Sequence, residues 1–401
     1  MKILQIATQV PYPPNDGGRI GIYNITKYLA KRGHTIDFVC YLKESDYNIS
    51  YKAMSEFSTP YLLSVNAKDS ICGAIKNLFS PVPYNISKFK TKALELFLRD
   101  YFTKNTPDVV HVDHLHLAWV IDVIRELSEV PVVLRQHNVE GLIMQRFYEK
   151  QTNPVLKFFA YLQHRKFISY EPFMCRKFDV CATITEADER LLLGQDRDIR
   201  TVAITAGVNS DLLSIEPAKQ FIPHSLFHIG SLRWLPNIDA LEYFFTRIFP
   251  LVLKKQPDTR LYIYGEGANH IRIPNDICHA VEIIGYVEDI WQAIGDKQVG
   301  IAPLRIGGGM RLKVIELMAA GKLLVSTSIA KEGIAVADGV NGLVADTPEE
   351  FAKRIDNCFT GKVDVKSIIE KGRELIRKEY TWETIAEKFE NAYLEAIARK
   401  K

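Results

Sequence analysis

The sequence is poor in the features that mark secreted scaffolds, metal proteins and membrane spans. Its six cysteines, Cys40, Cys72, Cys175, Cys181, Cys278 and Cys358, are scattered and form no C-x-x-C pair. That speaks against a zinc site or a disulfide framework and suits free thiols in a reducing cytoplasm. No stretch approaches the ~18 uninterrupted apolar residues of a transmembrane helix. The opening MKILQIATQVPYPP has one lysine and a short apolar run that meets Pro11 at once. It reads as a first strand and lacks the apolar region and cleavage site of a signal peptide. Nor is there a surplus of one charge: 51 Lys+Arg against 48 Asp+Glu leave +3 over 401 residues. A nucleic-acid binder driven by bulk charge is thereby disfavoured, and partners must be read from local patches. Low-complexity segments and short repeats are missing too. The expected setting is the cytoplasm, with peripheral attachment to the inner face of a membrane left open.

What is present is ordinary globular material, 47% hydrophobic and 25% charged, arranged as short β-like runs alternating with helical patterns. KILQIAT, TIDFVCYL, DVVHV, VPVVLRQH, DVCATIT and TVAITAG punctuate the first half; SLFHIGS, RLYIYG, VEIIGY, VGIAPL and LLVSTS punctuate the second. Runs of this kind, each followed by room for a helix, predict parallel sheets built from βαβ units. The series restarts after AGVNSDLLSIEPAKQFIPHS, which reads as a linker. Two Rossmann-like domains are expected, at 1–207 and 225–382. The C-terminal stretch 383–401 has Ile385, Phe389, Tyr393 and Ile397 on one helical stripe and is expected to pack back on the first domain. Ligands of such sheets bind beyond the carboxyl ends of the strands, in a cleft between the two domains.

The strongest constellation is APLRIGGGMRLKVIELMAAGKLLVSTSIAKEGI, residues 302–334. Gly307, Gly308 and Gly309 follow a strand and precede a helix predicted from near Met310 to Gly321. Curled glycine backbone and a helix N-terminus suit an anion, above all phosphate. Arg311 and Lys313 fall in the predicted first turn, where a cation opposes the helix dipole by ~0.3–1 kcal/mol; a bound diphosphate explains them. Glu316 lies three residues beyond Lys313 on the same side, placed to accept ribose hydroxyls. The competing reading is a loop and a surface helix with a Lys–Glu pair. The pattern is not a P-loop, and GEGANH is only a lone G-x-G, so no dinucleotide fingerprint is present.

Other stretches follow in a telling order: PYPPNDGGRIGIYNITKYLAKRGHTIDFV, DVVHVDH, VPVVLRQHNVE, DVCATITEADERLL, TAGVNSD, HIGSLRWLPNIDALEYF, LYIYGEG and IIGYVEDI. In order and spacing, over nearly the whole chain, they resemble the family 4 retaining glycosyltransferases of GT-B fold. The resemblance implies a nucleotide diphosphate sugar as donor substrate, a carbohydrate or lipid-linked acceptor, and no metal or other cofactor. It places Gly17, Gly18 and His137 in the first domain against the donor, and Ser231, Arg233, Gly265, Tyr286, Val287, Gly307, Gly308, Gly309 and Glu316 in the second. Two departures matter. The family's two glutamates lie eight positions apart; Glu316 matches the second, but Gly308 stands at the first. The family's lysine after the first strand of the second domain is replaced by Trp-Leu-Pro-Asn, with Arg233 just before. Arg311 and Lys313 make up the missing charge from the opposite side, as in a subgroup that reads G-G-G-x-R-L-K-x-x-E.

His111, Asp113 and His114 end one strand and His137 another. A structural hydrogen-bonding role competes with a catalytic one, and which of His111, Asp113 and His114 approaches the donor sugar is open. Asp196-Arg197-Asp198 has the D-x-D spacing of metal-dependent transferases but reads as a solvated connection. Residues 74–104 and 159–178 interleave lysines and arginines with aromatics; helices with rings inward and cations outward are expected, against a membrane or acceptor patch. The function expected is glycosyl transfer in polysaccharide or glycoconjugate synthesis. Alternatives are a sugar-nucleotide epimerase or phosphorylase, a binding subunit without catalysis, and an NAD(P) oxidoreductase.

Overall fold

The computed structural model describes residues 1–42, 47–65, 69–216, 218, 220–306 and 309–400. The chain forms two α/β units, Met1–Thr205 with Ile385–Lys401 and Ala206–Thr384. The first holds seven strands: β1 (Lys2–Ala7), β2 (Thr35–Leu42), β3 (Thr59–Ser64), β4 (Val109–Asp113), β5 (Val132–Arg135), β6 (Val180–Thr183) and β7 (Thr201–Ala203). All pair in parallel, in the order β3-β2-β1-β4-β5-β6-β7. The second holds β8 (Ile222–Ile229), β9 (Arg260–Tyr264), β10 (Val281–Gly285), β11 (Lys297–Ala302), β12 (Leu323–Ser326) and β13 (Leu343–Val344), parallel in the order β10-β9-β8-β11-β12-β13. Both sheets are doubly wound, and their strand order reverses between β1 and β4 and between β8 and β11.

The β-branched runs explain the strands. β4, β5 and β6 are buried at every residue, as a parallel sheet covered by helices on both faces requires. Val110, Val112, Val132 and Leu134 build the first core; Leu226, Phe244, Phe249, Ile263 and Val325 build the second. Two strands were not among the expected runs. β3 carries Pro60 and is only partly buried, as befits an edge, and β13 is two residues long.

The stretch after Ala206 is not a linker. Val208 is buried and exchanges backbone hydrogen bonds with Tyr380 (2.7 Å) and Trp382 (3.1 Å), which ties it into the second unit. The helix Trp382–Lys400 puts Ile385, Phe389 and Tyr393 at full burial, and its residues from Ile385 onward belong to the first unit.

The basic aromatic stretches do not turn all their rings inward. Phe89 packs on the core, but Phe79 is 90% exposed. In the helix Pro154–Cys175, Phe167 is buried while Phe158, Tyr161 and Phe173 face out. Asp196 and Asp198 both lie by the Arg176 guanidinium, at 3.6 and 2.8 Å.

Candidate active-site residues

In the first unit the reversal between β1 and β4 gathers polar side chains around one carboxylate. Asp113, the last residue of β4, is fully buried. Its Oδ2 accepts from Gln5 Nε2 of β1 at 2.7 Å, and its Oδ1 from the Arg135 guanidinium of β5 at 3.0 Å. Thr26 donates in turn to Gln5 Oε1 at 2.8 Å. Burial alone would raise the Asp113 pKa; His111, His137 and Arg135 beside it outweigh that and hold it well below the carboxylate range. His111 is also fully buried. Its Nδ1 meets the Tyr393 hydroxyl and its Nε2 lies 3.3 Å from Asp113. With Nε2–H turned to the carboxylate, Nδ1 accepts from the tyrosine.

His114 follows at φ 93, a left-handed value that only surroundings can impose on a residue with a side chain. Its ring stacks between His116 (4.3 Å) and His137 (4.4 Å). Burial, then the neighbouring imidazoles, push the His114 pKa far down. Burial and Arg135 lower that of His137. His137 Nε2 lies 2.9 Å from the Arg135 guanidinium and 3.5 Å from Asp113 Oδ1. His114 Nδ1 has no hydrogen-bond partner among the described residues.

Ligand atoms of His114, His116 and Glu140 lie within 4.8 Å of one another. The two imidazoles are nearly parallel, at 11°, so their in-plane lone pairs run side by side and do not converge on a common ion. Glu140 faces His116 at 3.7 Å.

Gly17 and Gly18 open the helix Gly17–Lys31, capped by Asp16. A Cβ on Gly18 would stand 3.7 Å from His137 Nδ1, while Gly17 has open space around it. The tight approach is at Gly21, where a Cβ would meet the Arg135 guanidinium at 2.5 Å. Gln5, Gly21 and Arg135 belong to none of the sequence constellations described above. A lone arginine ending the run Val-Val-Leu-Arg was the available signal, since a buried guanidinium must have a carboxylate partner.

In the second unit the corresponding reversal lies between β8 and β11. Gly230 follows β8, and a Cβ there would fall 2.4 Å from Asn237 Nδ2 and 2.6 Å from Lys313 Nζ. Lys313 donates to Ile229 O at 2.7 Å and to Asn237 Oδ1 at 2.8 Å; the Asn237 amide donates to Ser231 O at 2.9 Å. Burial brings the Lys313 pKa down to about 8, and Arg311 adds to the effect. Gly265 follows the neighbouring β9 at φ +142, and its Cβ would lie 2.0 Å from Gly230 O. The glycine is thus required by the backbone of β8 itself.

The helix begins two residues later than expected, as Leu312–Ala319. Arg311 therefore sits at its cap, buried, with its guanidinium on Gly309 O, and is not in the first turn. Gly309 is left-handed at φ +75; Gly307 and Gly308 lie outside the described residues. Glu316 is half-buried on this helix, and burial raises its pKa against the pull of Lys313. Ser231 leads out of β8. Arg233 is exposed and lies 3.6 Å from Glu266. Tyr286 and Val287 follow the end of β10, the tyrosine exposed.

Comparison with known proteins decides the family. Residues 15–212 match the model of Glycosyltransferase Family 4, and residues 223–361 match that of Glycosyl transferases group 1. The chain is a glycosyltransferase of the family 4, GT-B type. An uncharacterised 44.6 kDa protein in the cps region of Klebsiella pneumoniae is 24% identical over 390 residues, 94% of this chain and 96% of that protein. Among solved structures, sucrose-phosphate synthase of Thermosynechococcus elongatus superposes with a TM-score of 0.66 at 15% identity, covering 100% of both chains. HepE of Anabaena in complex with UDP-glucose gives 0.60 at 14%, over 98% of this chain and 99% of its own. In this glycosyltransferase the two reversals thus carry different chemistry. The first holds a buried carboxylate beside imidazoles and a guanidinium; the second holds an ammonium against one backbone carbonyl and one side-chain amide oxygen.

Proposed function

We propose that the enzyme moves a glycosyl group from a nucleoside diphosphate sugar to an acceptor hydroxyl, with retention and without a divalent metal ion. The carrying observation is Lys313, whose ammonium reaches the end of β8 at the reversal of the second sheet. It supplies there the positive charge that a diphosphate needs. Arg311 and the Gly309 backbone flank it, and Glu316 takes the ribose hydroxyls. The resemblance of the motif to G-G-G-x-R-L-K-x-x-E supports the retaining assignment, and HepE, solved with UDP-glucose, supports a UDP-type donor.

In the reaction the bond from the anomeric carbon to the diphosphate breaks as the bond to the acceptor oxygen forms. The acceptor proton passes to the departing diphosphate, whose charge Lys313 and Arg311 stabilise. His111 and Asp113 are positioning residues, since both are fully buried. His114, only half-buried at the end of β4, is the ring that meets a sugar hydroxyl, and His137 stands between it and the Gly18 turn. The acceptor is a carbohydrate or lipid-linked sugar of polysaccharide or glycoconjugate synthesis, in keeping with the relative's cps region.

Thermal shift with a panel of nucleoside diphosphates in EDTA tests the donor site. UDP or another diphosphate is expected to raise the melting temperature without added metal. A shift that appears only when a divalent ion is supplied overturns the metal-independent reading, and inversion of the anomeric centre in the product, read by NMR, overturns retention.

A further inference from the structure

Two segments of the first unit combine exposed apolar side chains with a one-sided charge. Residues 70–94 contain Lys76, Lys88, Lys90 and Lys92 and no acid, with Lys88 paired to Asp69 just outside at 2.9 Å; residues 150–170 contain Lys150, Lys157, Arg165 and Lys166 and no acid. In a chain of +3 overall, this is a local concentration of positive charge. The segments lie side by side. Gln163 Nε2 and Lys166 Nζ both donate to Asn77 Oδ1 at 3.1 Å, and Tyr84 packs against Phe159 with ring centres 6.3 Å apart.

Their apolar side chains face outward. Ile71, Ile75, Leu78 and Phe79 follow helical spacing along the helix Ile71–Asn77 and the turn after it. Ile71 is 82% exposed and Phe79 90%. Beside them Val155, Phe158, Tyr161 and Ile168 form an exposed stripe on the helix Pro154–Cys175, with Val155 at 75%. An amphipathic helix ordinarily buries that stripe. Exposed apolar side chains rimmed by cations match an interface that is anionic at the surface and apolar beneath. The lysine and arginine stems extend the apolar zone while their heads stay at headgroup level. No helix of the described residues is long and apolar enough to cross a membrane, so this would be attachment in the plane of the surface.

We propose that the enzyme docks on an anionic bilayer surface through the outward faces of Ile71–Phe79 and Val155–Ile168. The proposal stands independently of the donor reading, which concerns the second unit.

Co-sedimentation of the full chain with vesicles tests it, comparing phosphatidylcholine alone with phosphatidylcholine containing 30% phosphatidylglycerol, roughly the anionic content that attracts polybasic surfaces. Binding is expected only to the anionic vesicles and to weaken with salt. Two triple variants separate the two contributions: Ile75→Ser with Phe79→Ser and Phe158→Ser, and Lys76→Gln with Lys157→Gln and Arg165→Gln. Each should weaken vesicle binding roughly tenfold or more, with an unchanged circular dichroism spectrum and melting temperature of the free variants showing that the fold is intact. Wild-type protein that ignores the anionic vesicles, or variants that bind as the wild type does, overturns the proposal. So does a concentration-dependent dimer that the serine variant converts to monomer, which would show that a second copy covers the face.

Discussion

Lys313 is the residue on which the donor reading turns, and its burial makes that reading testable by pH. In the free protein its ammonium is charged below about 8 and loses its proton above. Nearby, burial keeps His228 neutral down to about 3, so that ring does not titrate in the same range. A bound diphosphate favours the ammonium form and raises its pKa. Nucleotide affinity is therefore expected to be flat up to about pH 8 and then to fall by up to tenfold per pH unit. Calorimetric titration between pH 7 and 9.5 reads this directly, with Lys313→Arg expected to remove the break. A flat profile in the wild type would place the diphosphate away from Lys313. Asp113 poses a different question. Its carboxylate balances the buried Arg135, so Asp113→Asn leaves a guanidinium without its counter-charge, at a cost of about 3–5 kcal/mol. Urea unfolding should show that loss near neutrality. Because the folded-state pKa of Asp113 lies below its unfolded value, its contribution is present above about pH 4 and disappears as the pH falls further. The deficit of the variant should accordingly shrink in acid; an equal deficit at every pH would mean that shape, not charge, is what Asp113 supplies.

At the scale of the element, the two glycine turns separate packing from ligand approach. Gly265 cannot accept a Cβ, since one would sit 2.0 Å from Gly230 O at a left-handed φ. Gly265→Ala is therefore expected to destabilise the enzyme by more than about 2 kcal/mol through strain at the β8–β9 ends. Gly17 opens its helix with free space around it, so Gly17→Ala should leave stability equal or slightly higher. If the loop approaches the donor, the same change should lower turnover without lowering the melting temperature. Normal turnover in Gly17→Ala would restrict the loop to a turn. The strands that announce themselves in the sequence are those with uninterrupted Val, Ile and Leu, because central parallel strands are buried on both faces. β3, with Pro60 at an edge, and β13, two residues long, carry no such signal. The polar strand end at 111–114 is legible because its residue types are unusual in a buried strand; of the glycine loop at 307–309 only Gly309 is among the described residues. Gln5, Arg135 and Asn237 were not legible, because their meaning comes from partners more than twenty residues away. The start of the helix Leu312–Ala319 was misplaced by two residues because Met310 and Arg311 suit a helix by propensity, while the chain there is extended and Arg311 folds back on Gly309.

At the scale of the whole molecule, the enzyme is two separately cored units joined by a chain that passes between them at Thr205–Ala206 and again at Thr384–Ile385. Their polar sets differ in kind. The first unit's is built around Asp113, whose buried carboxylate accepts hydrogen bonds from Gln5 and Arg135. The second unit's has Lys313 held by one side chain and one backbone carbonyl, which on the donor reading proposed above it exchanges for phosphate oxygens. Nucleotide binding should therefore stabilise the second unit, and the stabilisation follows from mass action alone. At a hundredfold excess over Kd it amounts to about 2.7 kcal/mol, or roughly a hundredfold slower opening. Hydrogen exchange followed by mass spectrometry resolves the units peptide by peptide. The slowest amides of β8, β9 and β11 are expected to gain close to that hundredfold protection with UDP, while those of β4, β5 and β6 stay unchanged. The control is Lys313→Met, which should abolish the gain without altering exchange in the free protein's first unit. Equal gains in both sheets would mean that the units open as one. Protection confined to β4 and its neighbours would move the diphosphate site to the first unit, and with it the role assigned to Lys313.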